Sequence, residues 1–156
     1  MIYIFSAFYA EAKNIIDHYG LKKEKSPEMV RFDVFANESI RLVITGVGEI
    51  NAAAAVSNIG GAYGISPDDE ILNVGCGAGF SSDICMGSIF LGNKLTEQMT
   101  GRTFYPDMLM NANFRECEIV TVARVLNEGC DSVVYDRQPP FIRQQRFSWD
   151  RIVCIL

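Results

Sequence analysis

Asp69-Glu70-Ile71-Leu72-Asn73-Val74-Gly75-Cys76-Gly77-Ala78-Gly79-Phe80 is the stretch on which the reading of this chain turns. Ile71 to Val74 reads as a short buried strand, and glycines follow at alternate positions, Gly75, Gly77 and Gly79. Glycine permits a sharp turn at positive φ and lets a ligand lie against bare peptide N–H groups. A strand that runs into such a loop is where an open α/β sheet binds its ligand. The same glycines also fit a blander role, turning and packing only, and more than one family ends a strand this way.

At 156 residues, 49% hydrophobic and 21% charged, the chain is long enough for one domain with a sizeable core. A net charge of -5 argues against a nucleic-acid surface, which needs a basic stripe. No apolar run approaches the ~18 residues of a membrane helix, so a soluble protein with no membrane partner is expected. Met1-Ile2-Tyr3-Ile4-Phe5 lacks the positive start of a signal peptide and reads as a first strand. Cys76, Cys85, Cys117, Cys130 and Cys154 form an odd, scattered set without a C-x-x-C pair. That pattern points to reduced thiols in a cytoplasmic protein, and away from a disulfide framework or a zinc site. His18 is the one histidine, on an expected helix surface, so a Ser-His-Asp mechanism has little to draw on.

Outward from the central stretch, Met1 to Ala7 is rich in strand formers, and Glu11 to Tyr19 has helical spacing closed by Gly20. Lys22-Lys23-Glu24-Lys25 reads as a solvated turn. Val30 to Phe35 and Ile40 to Thr45 alternate as two strands about Asn37-Glu38-Ser39. Gly46-Val47-Gly48-Glu49-Ile50-Asn51 leads into an alanine-rich helix over about Ala52 to Tyr63, whose small residues suit close packing on a sheet. Gly87 to Lys94, Ile119 to Val125 and Ser132 to Tyr135 read as further strands, and Thr100 to Met110 as a loop.

Three segments point the same way. Ile4-Phe5-Ser6-Ala7-Phe8-Tyr9-Ala10-Glu11-Ala12 places an acid just past the first strand. Thr45-Gly46-Val47-Gly48-Glu49-Ile50-Asn51-Ala52-Ala53-Ala54 places a glycine turn before a helix. Asn73 to Gly79 repeats the device at a third strand end. In this order and spacing, roughly Met1 to Tyr135 resembles the purine nucleoside phosphorylase superfamily, nearest to the methylthioadenosine/S-adenosylhomocysteine nucleosidases.

The resemblance implies a three-layer α/β/α domain with a mixed central sheet over residues 1–136, incomplete at the C-terminus. It implies a homodimer that takes a small purine nucleoside and cleaves its N-glycosidic bond, with no cofactor and no metal. Glu11 falls on the acid that activates the attacking water, a role suited to a carboxylate as proton acceptor. Phe8 falls on the position lining the sugar and its 5′ substituent, and Gly46 and Val47 on the turn beside the ribose. Cys76 and Gly77 fall on the segment contacting base and sugar, and Tyr105, in Phe104-Tyr105-Pro106, on one reaching a neighbouring subunit. Glu11 also suits a helix start through the macrodipole, and Phe8 and Val47 also suit a core.

This chain departs from the family pattern in three respects. Cys76 stands where members usually have Ser, and the phosphate-holding arginines and histidine of the phosphorylases have no clear counterparts before Gly87. Hydrolysis is therefore expected over phosphorolysis, although Arg102 offers an anion contact. After Val133-Val134-Tyr135-Asp136 the family continues with Met-Glu, which holds the ribose, and later a Ser-Asp that protonates the leaving purine. Here Arg137-Gln138-Pro139-Pro140 follows, and paired prolines forbid a helix there. From Gln138 onward, the bases dictated by these residues allow, in a neighbouring frame, a run of small and apolar residues like the family's alanine-rich helix. Residues 137–156 are accordingly expected to be a non-homologous, frameshift-derived tail, and the chain to be weakly active or inactive.

Two other readings stay open. Ile71 to Gly79 also looks like the first motif of S-adenosylmethionine-dependent methyltransferases, though Cys85 to Lys94 then reads as a strand where a helix belongs, and Glu11 goes unexplained. A non-catalytic nucleoside-binding protein is the other. The residues name neither the 5′ substituent nor the purine.

Overall fold

The computed structural model describes residues 1–78, 85, 87–108, 113–122 and 151–155. Its elements run β1 (Ile2–Ser6), α1 (Tyr9–His18), β2 (Lys22–Lys23), β3 (Asp33–Ala36), β4 (Ile40–Ile44), α2 (Glu49–Tyr63) and β5 (Glu70–Ala78). Then come β6 (Ile89–Glu97), β7 (Thr103–Phe104), β8 (Arg115–Thr121) and β9 (Arg151–Ile155). The chain divides into two compact units, one built on residues 1–75 and one on 76–154.

In the first unit β1 is the central strand. Tyr3, Ile4, Phe5 and Ser6 are all buried, because the strand is covered on both faces and cannot alternate polar with apolar. β4 and β5 flank it in parallel, with Ile4 opposite both Leu42 and Leu72. β3 adds to β4 antiparallel (Val34 opposite Val43), and β2 adds to β3, so the order is β2-β3-β4-β1-β5 in a mixed sheet.

The two helices cover opposite faces. Ala55 and Ile59, one turn apart on α2, pack with Tyr3, Phe5, Val34 and Val43. Ser6 and Phe35 lie on the other face by strand alternation, and α1 meets both, through Glu11 and through a tilted Tyr9–Phe35 ring contact at 5.6 Å. That gives the three layers, helix, sheet, helix. Each fully buried Val, Ile or Phe at these faces contributes roughly 1.5–3 kcal/mol by leaving water. α1 ends as the residues predict. Gly20, at φ 60, donates to Asp17 O at 3.4 Å while Leu21 N donates to Ile16 O at 2.9 Å, the paired bonds of a Schellman cap.

Several expectations need correction. Lys22-Lys23-Glu24-Lys25 is no solvated turn: β2 pairs Lys23 with Phe35, and Glu24 N donates to Val34 O at 2.8 Å. Backbone pairing with Val34, Phe35 and Ala36 extends the charge run as an edge strand. The strand expected from Val30 begins at Asp33, because Val30 N closes a turn onto Pro27 O at 2.9 Å. α2 starts at Glu49, a turn earlier than the alanines suggest, since Gly48 at φ 98 already supplies the break. Of the alanine run only Ala55 is buried, and Ala52, Ala53 and Ala54 face outward. Most consequentially, Gly75 and Gly77 lie inside β5 and form no loop, and Gly75 has no positive φ. Ile71, expected to be buried, is 49% exposed. Gly79 and the segments 123–125 and 132–135 fall outside the described residues.

In the second unit β6 is the spine. β8 runs parallel to it, Leu95 opposite Ile119, with a register shift between Gly92 and Lys94. β7 lies in the segment expected to be wholly loop and pairs antiparallel with β6 through Leu95 and Phe104. Gly101, at φ 68, makes that hairpin possible: its N–H reaches Glu97 O at 2.8 Å, and Glu97 N reaches Arg102 O at 2.9 Å.

Candidate active site

β1 and β4 are neighbours and parallel, yet the helices that follow them leave on opposite faces of the sheet. At such a switch point, outside the carboxyl ends of the strands, an open α/β sheet usually binds its ligand. The loop after β1 is Ala7-Phe8, and the loop after β4 is Thr45 to Gly48. They are tied together, since Gly46 N donates to Ala7 O at 3.2 Å and Thr45 N to Ser6 O at 2.9 Å.

Glu11 is in the first turn of α1. Its Oε2 accepts the Phe8 N–H at 3.2 Å, so it serves as the reaching-back half of a capping box. The same oxygen accepts the Ser6 hydroxyl at 3.4 Å. The carboxylate is thus held over the end of β1, and the helix dipole favours its charge there. Phe8, at the N-cap, is half exposed. Its side chain is not core, and neither is that of Val47, which is 60% exposed.

Gly46 stands at φ 80, a conformation that L side chains rarely adopt. A Cβ there would also lie 3.4 Å from Asn51 Nδ2. Asn51 reaches back from α2 to donate to Val47 O at 2.7 Å, and Thr45 Oγ1 donates to Gly46 O at 2.8 Å. The turn is therefore held from both sides.

Phe8, Glu11, Gly46 and Val47 are the predicted residues brought together in the first unit. Cys76 and Gly77 are exposed positions on β5, and Tyr105 follows β7 with 72% of its surface exposed. These three belong to the second unit. Arg102, the candidate anion contact, places its guanidinium 5.6 Å from the Phe104 ring centre. Sequence reasoning missed Ser6, Thr45 and Asn51 as supports. The available signal was a serine ending an otherwise apolar strand.

A shallow depression of about 500 Å³ lies at the other end of this sheet, lined by Gly20, Lys22, Asn37 and Ser39. It is remote from Glu11. Among the described residues no cluster of three or more His, Cys, Asp or Glu is placed to hold a metal, and no helix is long and apolar enough to cross a membrane.

No protein-family model matches the chain, and no curated protein matches it. Solved structures do. The chain has the α/β fold of the nucleoside phosphorylase/nucleosidase superfamily. The 5′-methylthioadenosine/S-adenosylhomocysteine nucleosidase of Neisseria meningitidis, in complex with methylthio-immucillin-A, superposes with a TM-score of 0.62 at 16% identity. That match covers 79% of this chain and 64% of the Neisseria chain, so this chain spans under two thirds of that relative. The Helicobacter pylori MTAN gives 0.65 at 14% identity, covering 82% of this chain and 69% of its own. A futalosine hydrolase mutant of Helicobacter pylori gives 0.65 at 12%, covering 82% and 70%.

Proposed function

We propose that this chain acts on a purine nucleoside by hydrolysis of its N-glycosidic bond. The observation that carries the reading is the Glu11 carboxylate, held by the Phe8 amide and the Ser6 hydroxyl at the carboxyl end of β1, beside the Gly46 turn. In the proposed reaction a water oxygen bonds to the anomeric carbon while the carbon–nitrogen bond breaks. Glu11 accepts the water proton, and the bonding electrons leave with the purine, which takes up a proton in turn. Phe8 lines the sugar and its 5′ substituent, and Gly46 and Val47 flank the ribose. On resemblance alone, Cys76 and Gly77 are proposed contacts to base and sugar, and Tyr105 a contact given across a homodimer.

Methylthioadenosine and S-adenosylhomocysteine, the nucleosides named for the Neisseria enzyme, are the first substrates to try, which would place the protein in cytoplasmic methionine salvage. Turnover is expected to be low. Arg137-Gln138 stands where the family's Met-Glu ribose clamp follows Asp136, and leaving-group protonation, if lost as well, is typically worth ~10²–10⁴-fold. That same departure favours, as second reading, a protein that binds nucleosides without cleaving them.

The test is base release from methylthioadenosine, S-adenosylhomocysteine and futalosine, with and without phosphate, alongside calorimetric binding of methylthioadenosine. Free base without phosphate supports hydrolysis, and a strict phosphate requirement makes the chain a phosphorylase. Saturable binding with no base released selects the second reading. Neither binding nor release overturns both.

A further inference from the structure

We infer that Ser6 is a positioning residue for Glu11, acting through its side-chain hydroxyl; the inference rests on the nucleoside reading of this site. Ser6 is the last residue of β1 and is fully buried, at 0% exposure. Its neighbours along the strand, Ile4 and Phe5, are apolar, and nothing in the strand pattern calls for a hydroxyl there. A buried hydroxyl is unfavourable unless hydrogen-bonded. This one donates to Glu11 Oε2 at 3.4 Å.

Ser6 is itself held rigidly. It pairs with Ile44 at the end of the parallel β1–β4 ladder. Its carbonyl accepts the Thr45 N–H at 2.9 Å, while the Thr45 hydroxyl donates to Gly46 O at 2.8 Å. The hydroxyl is thus fixed in place by the sheet, whereas the second donor to the same oxygen, the Phe8 N–H at 3.2 Å, belongs to the loop. Two donors from different elements converge on one oxygen and so fix its position at the end of β1. A proton acceptor has to meet its water at hydrogen-bond distance and in a defined direction. Ser6 therefore works through Glu11 and needs no contact with the nucleoside. Thr45 links this support to the Gly46 turn, so the sugar-facing turn and the acid are anchored on one residue.

The test compares the unaltered chain with Ser6→Ala, Glu11→Ala and the double variant, titrating each with methylthio-immucillin-A by calorimetry and recording thermal unfolding. Ser6→Ala is expected to weaken binding about 5- to 10-fold, the range of a single hydrogen bond to a charged group or a little below it. In the Glu11→Ala background the same change is expected to cost less than about 2-fold, because its partner is gone. An equal loss in both backgrounds, or no loss in either, overturns the inference while leaving the nucleoside reading intact. If the unaltered chain does not bind the analogue, the nucleoside reading falls and takes the inference with it. Ser6→Cys, close in volume and a poorer donor, is the companion variant should the alanine chain not fold, and the same non-additivity is expected of it.

Discussion

At the scale of single residues, Glu11 and Gly46 matter to the proposed reaction for different reasons. Glu11 acts through its charge and its place in the first turn of α1. Glu11→Gln keeps the shape and a hydrogen-bond acceptor for the Phe8 amide but cannot take a proton. Base release is expected to fall by about 10²-fold or more, with the thermal midpoint nearly unchanged, as a paired activity and unfolding measurement checks. Gly46 acts through its backbone. Gly46→Ala places a Cβ at φ 80 and 3.4 Å from Asn51 Nδ2, and is expected to destabilise by about 1–2 kcal/mol in urea unfolding. The acid and the glycine turn were both open to sequence reading as candidates, because a carboxylate just past a strand and a Gly-x-Gly before a helix are local patterns. Ser6 was not. Its role depends on Glu11 returning, five residues on, over the strand end.

Among the elements, the decisive contact is one that the charge pattern concealed. Arg41 on β4 forms a two-pronged pair with Glu24, at 3.0 and 3.3 Å, and reaches the Tyr3 hydroxyl of β1 at 3.3 Å. Its guanidinium lies 3.8 Å from the ring centre of Tyr63 on α2, and that tyrosine's hydroxyl donates to Glu24 at 3.3 Å. Burial pulls the Arg41 pKa down, but the bonds and charge of Glu24 and Tyr3 outweigh it and hold it above the ordinary arginine value. The planar fork is what fits this site, so Arg41→Lys is expected to cost about 1–2 kcal/mol in denaturant unfolding despite keeping the charge. In the second unit the Lys94 ammonium, 2.7 Å from Glu118, holds that carboxyl below its usual range; burial opposes it and the Thr96 hydroxyl adds to it. A depressed carboxyl pKa stabilises the fold at neutral pH, and this part is lost as pH falls from about 4.5 through the lower folded value. Glu118→Gln should flatten that acid limb of a stability–pH curve. The effect at pH 7 is expected to be small, at most about 1 kcal/mol, because the pair is largely solvated.

For the whole molecule, the tail raises a question that DNA answers. If residues 137–156 are frameshift-derived, as we propose, the gene read past the codon for Tyr135 is expected to continue, in the neighbouring frame, through an alanine-rich helix to a Ser-Asp. A neighbouring frame that closes quickly makes the tail native. The fold class was open to sequence reading because its evidence is local and ordered: strand, acid and helix, then strand, glycine turn and helix, each set by propensity and hydrophobic period. The glycines of β5 show the limit of that reading. Alternate glycines after an apolar run suit a loop or a strand equally well, and pairing partners decide between them; β5 goes on as strand beyond its last partner on β1, Asn73 opposite Phe5. The sequence by itself determined which residues can bend, carry charge or prefer a strand, because those are properties of single side chains and their neighbours. Only the tertiary structure decided that Lys22 and Lys23 form an edge strand, that Arg41 finds Glu24, and that Ser6 supports Glu11. Each of those depends on which strand lies beside which, and that is settled by burial across the whole sheet.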